Sequence, residues 1–306
     1  MIHTDRHRSS ADLVTSTLIQ MRHIIKPQPL EGNGARSHQT KSLKSSSRKH
    51  AGSSKQLDQL SRLYDDAMDL FNQSALAASF EDMLNVKNRP RITRLVSLGL
   101  GSLLDAKDQQ RRIKQLVIFM AIASHLTLPM SDEASVTLYA QDPTFTTTDE
   151  TFLNRLGITV LRTPSSSDLG DAGQMINEET IVYSPFLTIA TYKLLFSQSL
   201  HTSTQSSGSP KIPILVSDDF NALKLKWDKR TSDHRDVETL IKGAKSGNYR
   251  RRAVNGEGFW AESDRPFPLA IYWRQSFAQQ KRGIERDSCA SAMSYPRENQ
   301  AMSIQV

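Results

Sequence analysis

The chain has 306 residues, 38% of them hydrophobic, a formal net charge of +7 and a single cysteine, Cys289. One cysteine excludes an intrachain disulfide and a cysteine-based zinc centre, and favours a reducing compartment. The longest apolar run, residues 116–123, is far too short to span a bilayer, and residues 1–8 lack the apolar stretch of a secretory signal. These features point to a soluble protein of the cytoplasm, the nucleus or both, with no membrane partner.

The charge is unevenly placed. Residues 1–55 hold 10 Lys/Arg against 3 Asp/Glu, residues 56–225 hold 14 against 19, and residues 226–306 hold 15 against 10. Basic flanks therefore enclose a mildly acidic middle. On flexible tails such charge gives solubility and weak attraction to polyanions, whereas a basic folded face would signal nucleic acid.

Residues 1–55 contain one short apolar stretch, 13–25. Pro27, Pro29, Gly32, Gly34 and the basic, serine-rich run from Lys41 to Lys49 follow it. So little apolar surface cannot offset the entropy of ordering, and the segment is predicted to be a disordered basic tail. Ser53 or Ser54 can cap a helix beginning near Lys55. Its stripe of Leu57, Leu60, Leu63, Tyr64, Ala67, Leu70 and Phe71 predicts an amphipathic helix lying against a sheet.

Alternation of strands and helices follows. Residues 92–98 read as a strand ending in Gly99-Leu100-Gly101-Ser102. Asp105 or Asp108 then caps a helix through Ile113, Leu116, Val117, Met120 and Leu126. Residues 136–140 read as a second strand. Thr147-Thr148-Asp149-Glu150 fits a capping box for a helix to Leu156, which Gly157 ends. Residues 158–161, 180–183 and 212–216 read as three more strands, with a helix from Pro185 through Phe196 and a loop over 197–209. Residues 56–225 are thus predicted to form one three-layer α/β domain. Its sheet would be open, mainly parallel, five-stranded and Rossmann-like, with a leading helix. Residues 226–306 are expected to be an irregular basic extension, disordered from about Gln279. Trp227, Phe259, Trp260, Tyr272 and Trp273 are scattered through it as anchors.

Val96-Ser97-Leu98-Gly99-Leu100-Gly101-Ser102, Gln115-Leu116, Asp142-Pro143-Thr144-Phe145, Leu156-Gly157 and Thr180-Ile181-Val182-Tyr183-Ser184-Pro185 occur in that order. The series resembles the SRR-like (sensitivity to red light reduced) domain family over roughly residues 90–220. The serine-rich insertions and low-complexity N-terminus look like those of a fungal member. The resemblance implies a regulator, in a family linked to light and clock signalling, haem-synthesis control and microtubule-related processes, with no established reaction. Two loops depart from the family pattern. Ser184-Pro185-Phe186-Leu187 stands where Met-Pro-His-Cys is common, and Ser217-Asp218-Asp219-Phe220 stands where Gly-Asn-Ser-Phe is common.

Among candidate sites, the Gly99–Gly101 turn can bring backbone amides to a phosphate, or to the carboxylate or ribose of a nucleotide-like ligand. The plain alternative is a tight strand-to-helix turn that needs glycine. Leu104 and Asp105 follow where a third glycine would complete a dinucleotide fingerprint. Asp142, at the carboxyl end of the second strand, can accept a ribose hydroxyl or simply start a turn before Pro143. Gly99, Gly101, Ser102 and Asp142 are therefore the candidate ligand residues, and they name no particular cofactor. Asp218 and Asp219 are adjacent, so their side chains diverge, and helix capping is favoured over a shared metal or proton. His125 near a helix C-terminus reads as structural. Ser184 lacks the glycines of a nucleophile elbow. Tyr249-Arg250-Arg251-Arg252 and the Lys41–Lys49 run read first as solvated charge, then as contacts to polyanions or an import receptor.

The leading expectation is a non-catalytic regulatory protein with a protein partner and a small-ligand pocket at the strand ends. The alternatives are a nucleotide- or S-adenosylmethionine-dependent transferase and a nucleic-acid binder using the basic flanks.

Overall fold

Short runs of branched apolar residues separated by amphipathic stretches favour strands buried on both faces and helices packed over them. A computed structural model describes residues 46–84, 89–127, 136–163, 169–200, 212–254, 256–264, 266 and 268–275. The apolar stretch at 13–25, the predicted loop over 201–209, Cys289 and the extension from Gln279 lie outside the described residues.

In chain order the elements are α1 (Ser46–Asn72), α2 (Ala75–Leu84), β1 (Arg94–Leu98), α3 (Gln109–Thr127), β2 (Thr137–Gln141), α4 (Thr147–Arg155), β3 (Ile158–Leu161), α5 (Gly170–Met175) and β4 (Thr180–Ser184). They continue with α6 (Ile189–Leu200), β5 (Ile214–Asp218), α7 (Phe220–Leu225), α8 (Ser232–Ser246), β6 (Tyr249–Ala253), a 3-10 turn (Glu262–Asp264) and β7 (Leu269–Arg274).

The strands form one seven-stranded sheet in the order β3-β2-β1-β4-β5-β7-β6. β1 to β5 are parallel, and β7 runs antiparallel to both of its neighbours. This is the doubly wound order 3-2-1-4-5-6 with one reversed strand inserted between β5 and β6. Its switch point, where connections leave in opposite directions, lies between β1 and β4.

Residues alternate between two apolar layers, as strand geometry requires. Leu95, Ala140, Ile181, Tyr183, Ile214, Val216 and Ile271 join the core formed with α1, α2 and α3. Val96, Leu98, Val182, Leu215, Ala270 and Tyr272 join the core formed with α5, α6 and α8.

Several expectations change. The sheet has seven strands rather than five, because the stretch read as an irregular extension supplies α8, β6 and β7. The leading helix begins at Ser46, so Ser53, Ser54 and the boundary drawn at residue 55 fall inside it. Its chief contacts are with α3 and α4, so it lies over helices rather than directly on strands. Leu70 of its predicted stripe is exposed. α6 extends to Leu200, into the stretch read as loop. The capping box is formed by Thr146 and Asp149, one residue earlier than the threonine predicted.

The β6–β7 connection is fastened to α3 by a buried ion pair. Lys114 Nζ donates to Asp264 Oδ2 at 2.5 Å and to Phe259 O at 2.8 Å. It also lies 5.4 Å from the Phe259 ring centroid. Charges this far from water persist only when paired and hydrogen-bonded, as both are here.

Candidate functional site

The carboxyl ends of parallel strands are where doubly wound sheets bind ligands. The β1–α3 turn sits there. Gly99 and Gly101 both have φ of 75°, a region that side chains other than glycine rarely adopt. Gly101 N donates to Asp142 Oδ2 at 2.8 Å and Ser102 N to Thr144 Oγ1 at 3.0 Å. Leu103 N donates to Asp149 Oδ1 at 3.0 Å. Asp142 Oδ1 accepts from Thr144 N at 2.8 Å and from Thr144 Oγ1 at 2.6 Å.

The four candidate ligand residues thus do come together, and they do so by bonding to each other and to the β2–α4 turn. The amides at 101, 102 and 103, which a phosphate would need, already have acceptors. Arg112 Nη1 donates to Ser102 O at 2.6 Å, and a Cβ at Gly101 would lie 2.6 Å from Arg112 Nε. A Cβ at Gly99 would run into Leu187 Cδ2. Leu187, from the turn after β4, therefore packs into the switch-point crevice itself.

That second turn is held in an unusual way. Phe186 has φ of 65°, a costly conformation for an aromatic residue. Its N–H is shared by both carboxylate oxygens of Asp218, at 3.1 Å each. The Tyr192 hydroxyl lies 2.6 Å from Ser184 O and 3.1 Å from Asp218 Oδ2, and its oxygen accepts Asp218 N at 3.2 Å. The Arg111 guanidinium sits 5.0 Å from the Phe186 ring centroid. Burial pushes the Asp218 carboxyl up to about 6, against the opposing pull of the Phe186 N–H and the Tyr192 hydroxyl. Burial also drives the Tyr183 and Tyr192 hydroxyls well above their ordinary value. Beneath this turn, among the described residues, the buried Ser97 Oγ, Tyr183 Oη and Ser184 Oγ have no hydrogen-bond partner.

Asp218 and Asp219 diverge, as their adjacency requires. Asp219 caps α7 by accepting Asn221 N at 3.0 Å, and it forms a bidentate pair with Arg251, whose Nε lies 2.6 Å from Oδ1. Asp219 thereby ties β6 to the β5–α7 turn. His125 is buried near the end of α3, and burial lowers its pKa. It is a buried, structural residue of the core.

Sequence reasoning missed Asp149, fully buried beneath the β1 turn, and the strained Phe186 with its Asp218 support. The Thr-x-x-Asp pattern at 146–149 carried a signal for Asp149. No local pattern marks a positive φ at Phe186. Among the described residues, no group of three or more His, Cys, Asp or Glu is placed to hold a metal ion, and no helix is long and apolar enough to cross a membrane.

No curated protein matches the sequence. Among solved structures, the chain is similar to the fibrillarin pre-rRNA processing protein of Methanococcus jannaschii. Identity is 10% and the TM-score 0.34, over 63% of this chain and 71% of that one. It is also similar to a fibrillarin/Nop5p complex, with 10% identity and a TM-score of 0.34 over 62% and 75%. Likenesses that remote carry nothing about activity. The SRR1 domain model, by contrast, matches residues 73–281, a span that runs from before α2 to beyond β7 and takes in every strand of the sheet. The chain belongs to the SRR1 domain family.

Proposed function

We propose that this protein is a non-catalytic regulatory protein of the SRR1 domain family, acting inside the cell, in cytoplasm or nucleus, by binding another protein. One observation carries the reading: the carboxyl edge of the sheet is occupied by its own contacts. Asp142, Asp149 and Asp218 each accept hydrogen bonds from neighbouring turns, Asp219 caps its own helix and pairs with Arg251, and Leu187 packs into the crevice beside Gly99. A general base or a phosphate cradle needs groups free to meet a substrate. Here those groups close the protein's own turns, so Gly99, Gly101, Ser102 and Asp142 serve first to brace the edge. The two loops that depart from the family's commoner residues share in this closing, through Leu187 and Asp218.

The test is a thermal-shift and turnover screen of the full chain against nucleotides, dinucleotides, S-adenosylmethionine and haem. A ligand at about 100 times its Kd stabilises a protein by about 2.7 kcal/mol, a shift the screen resolves. The expected result is no saturable shift and no product. A saturable rise in Tm accompanied by product formation would establish the transferase alternative and remove this reading.

A further inference from the structure

β6 lies at the end of the sheet, and among the described strands it pairs with β7 alone. Antiparallel pairs alternate between residues that exchange hydrogen bonds with the partner and residues whose backbone groups point away from it. Val254 N donates to Leu269 O and Gln275 N donates to Asn248 O, both at 2.9 Å. With Tyr249 opposite Arg274 and Ala253 opposite Ala270, residues 250 and 252 bond to β7. The N–H and C=O groups of Tyr249, Arg251 and Ala253 therefore face outward from the sheet.

The side chains divide in the same rhythm. Arg251 is held by Asp219 on one face. Arg250 and Arg252 share the other face, both exposed, and among the described residues neither has an ion-pair partner. Open edges recruit further strands, and charges on them select which strand is accepted. A second copy is disfavoured, since antiparallel pairing about Arg251 would set Arg250 opposite Arg252 of the other molecule. A nucleic acid would use the arginines but not the outward carbonyls. An acidic strand satisfies both.

We propose that the β6 edge docks an extended acidic segment of a partner protein as an eighth strand, with Asp or Glu opposite Arg250 and Arg252. This rests on the partner-binding reading above and names the partner's chemistry. The outward amides of Tyr249, Arg251 and Ala253 supply the ladder, and the two free arginines supply the selection.

The test is fluorescence anisotropy of the full chain with labelled Thr-Val-Glu-Val-Glu-Val-Thr, its Glu-to-Lys counterpart and oligouridylate. Saturable binding is expected for the acidic peptide alone. Reversing both charges, Arg250→Glu with Arg252→Glu, should weaken it about tenfold, because two facing pairs change from attractive to repulsive. Ala253→Pro removes an outward N–H while keeping every arginine, and should also weaken binding. The charge-reversal variant, altered only on exposed side chains, keeps the test decisive if the proline variant does not fold. No binding of the acidic peptide would overturn the proposal, as would binding indifferent to both variants. Equal binding of oligouridylate, insensitive to Ala253→Pro, would overturn it in favour of a nucleic acid. None of these failures touches the partner-binding reading, which falls only to turnover with a small ligand.

Discussion

Two turns leave the sheet side by side at its switch point, and they solve the same problem differently. The β1–α3 turn reverses through Gly99 and Gly101, residues that adopt positive φ without a side-chain clash. The β4–α6 turn reverses through Phe186, which does not belong in that region, and it is held there by a buried carboxylate. The first turn is relaxed and tied by many neighbours. The second is strained, and the N–H of its positive-φ residue is held by one group, Asp218. Conformational cost in a protein thus concentrates where a large side chain is wanted, since here Phe186 meets Arg111 and Leu187 fills the space above Gly99.

Four experiments separate the two turns. The largest effect is expected from Gly101→Val. A branched side chain at φ of 75°, with its Cβ 2.6 Å from Arg112 Nε, should cost about 3 kcal/mol or more, read from the urea midpoint. A loss within about 0.5 kcal/mol would show that the first turn tolerates what the geometry forbids.

Next is the pH response of the second turn. Asp218 titrates near 3.8 when unfolded and at about 6 when folded, so the folded state holds its proton more tightly. Its contribution to stability is complete below about pH 4 and is lost as pH rises through 6, by up to about 3 kcal/mol. Asp218→Asn cannot ionise and should remove that slope between pH 4 and 6. An unchanged slope in the variant would exclude Asp218 as its source.

A smaller effect, about 2 kcal/mol, is expected for Gly99→Ala, part of it from collision with Leu187. In a Leu187→Ala background that part should disappear, giving a coupling of about 1 kcal/mol in a double-mutant cycle. Strict additivity would mean that the two turns do not press on each other. The smallest effect compares Phe186→Asn with Phe186→Ala. Both lose the ring, and Asn, which tolerates positive φ, should be the more stable by a few tenths of a kcal/mol to about 1 kcal/mol.

The first five strands were legible because each is a short, largely apolar run bounded by a turn residue or a helix, as Ile158–Leu161 is by Gly157. β6 was not legible, because Tyr-Arg-Arg-Arg-Ala shows no alternation, and an edge strand exposed from Arg250 to Ala253 needs none. β7 has a strand's composition in Leu-Ala-Ile-Tyr-Trp-Arg, but no helix leads directly into it, and its place inside the sheet depends on partners far away in sequence. The capping box slipped by one because Thr146, Thr147 and Thr148 are chemically equivalent and only tertiary contact chooses among them. At the candidate site, the sequence placed Gly99, Gly101, Ser102 and Asp142 at one edge. That their donors and acceptors satisfy one another is a matter of ångströms that spacing does not encode.

The inserted strand has a consequence for biosynthesis. β7 comes last in the sheet's sequence order and sits inside it, between β5 and β6. On a chain emerging from the ribosome, β5 remains an open edge until Leu269–Arg274 has been made, and β6, translated earlier, has no other strand to join. Lys114 likewise waits 150 residues for Asp264. Non-local pairings of this kind slow folding and leave sticky edges exposed meanwhile. At this end of the sheet the order of translation runs against the order of assembly, and the arginines of β6 keep that strand soluble while it waits.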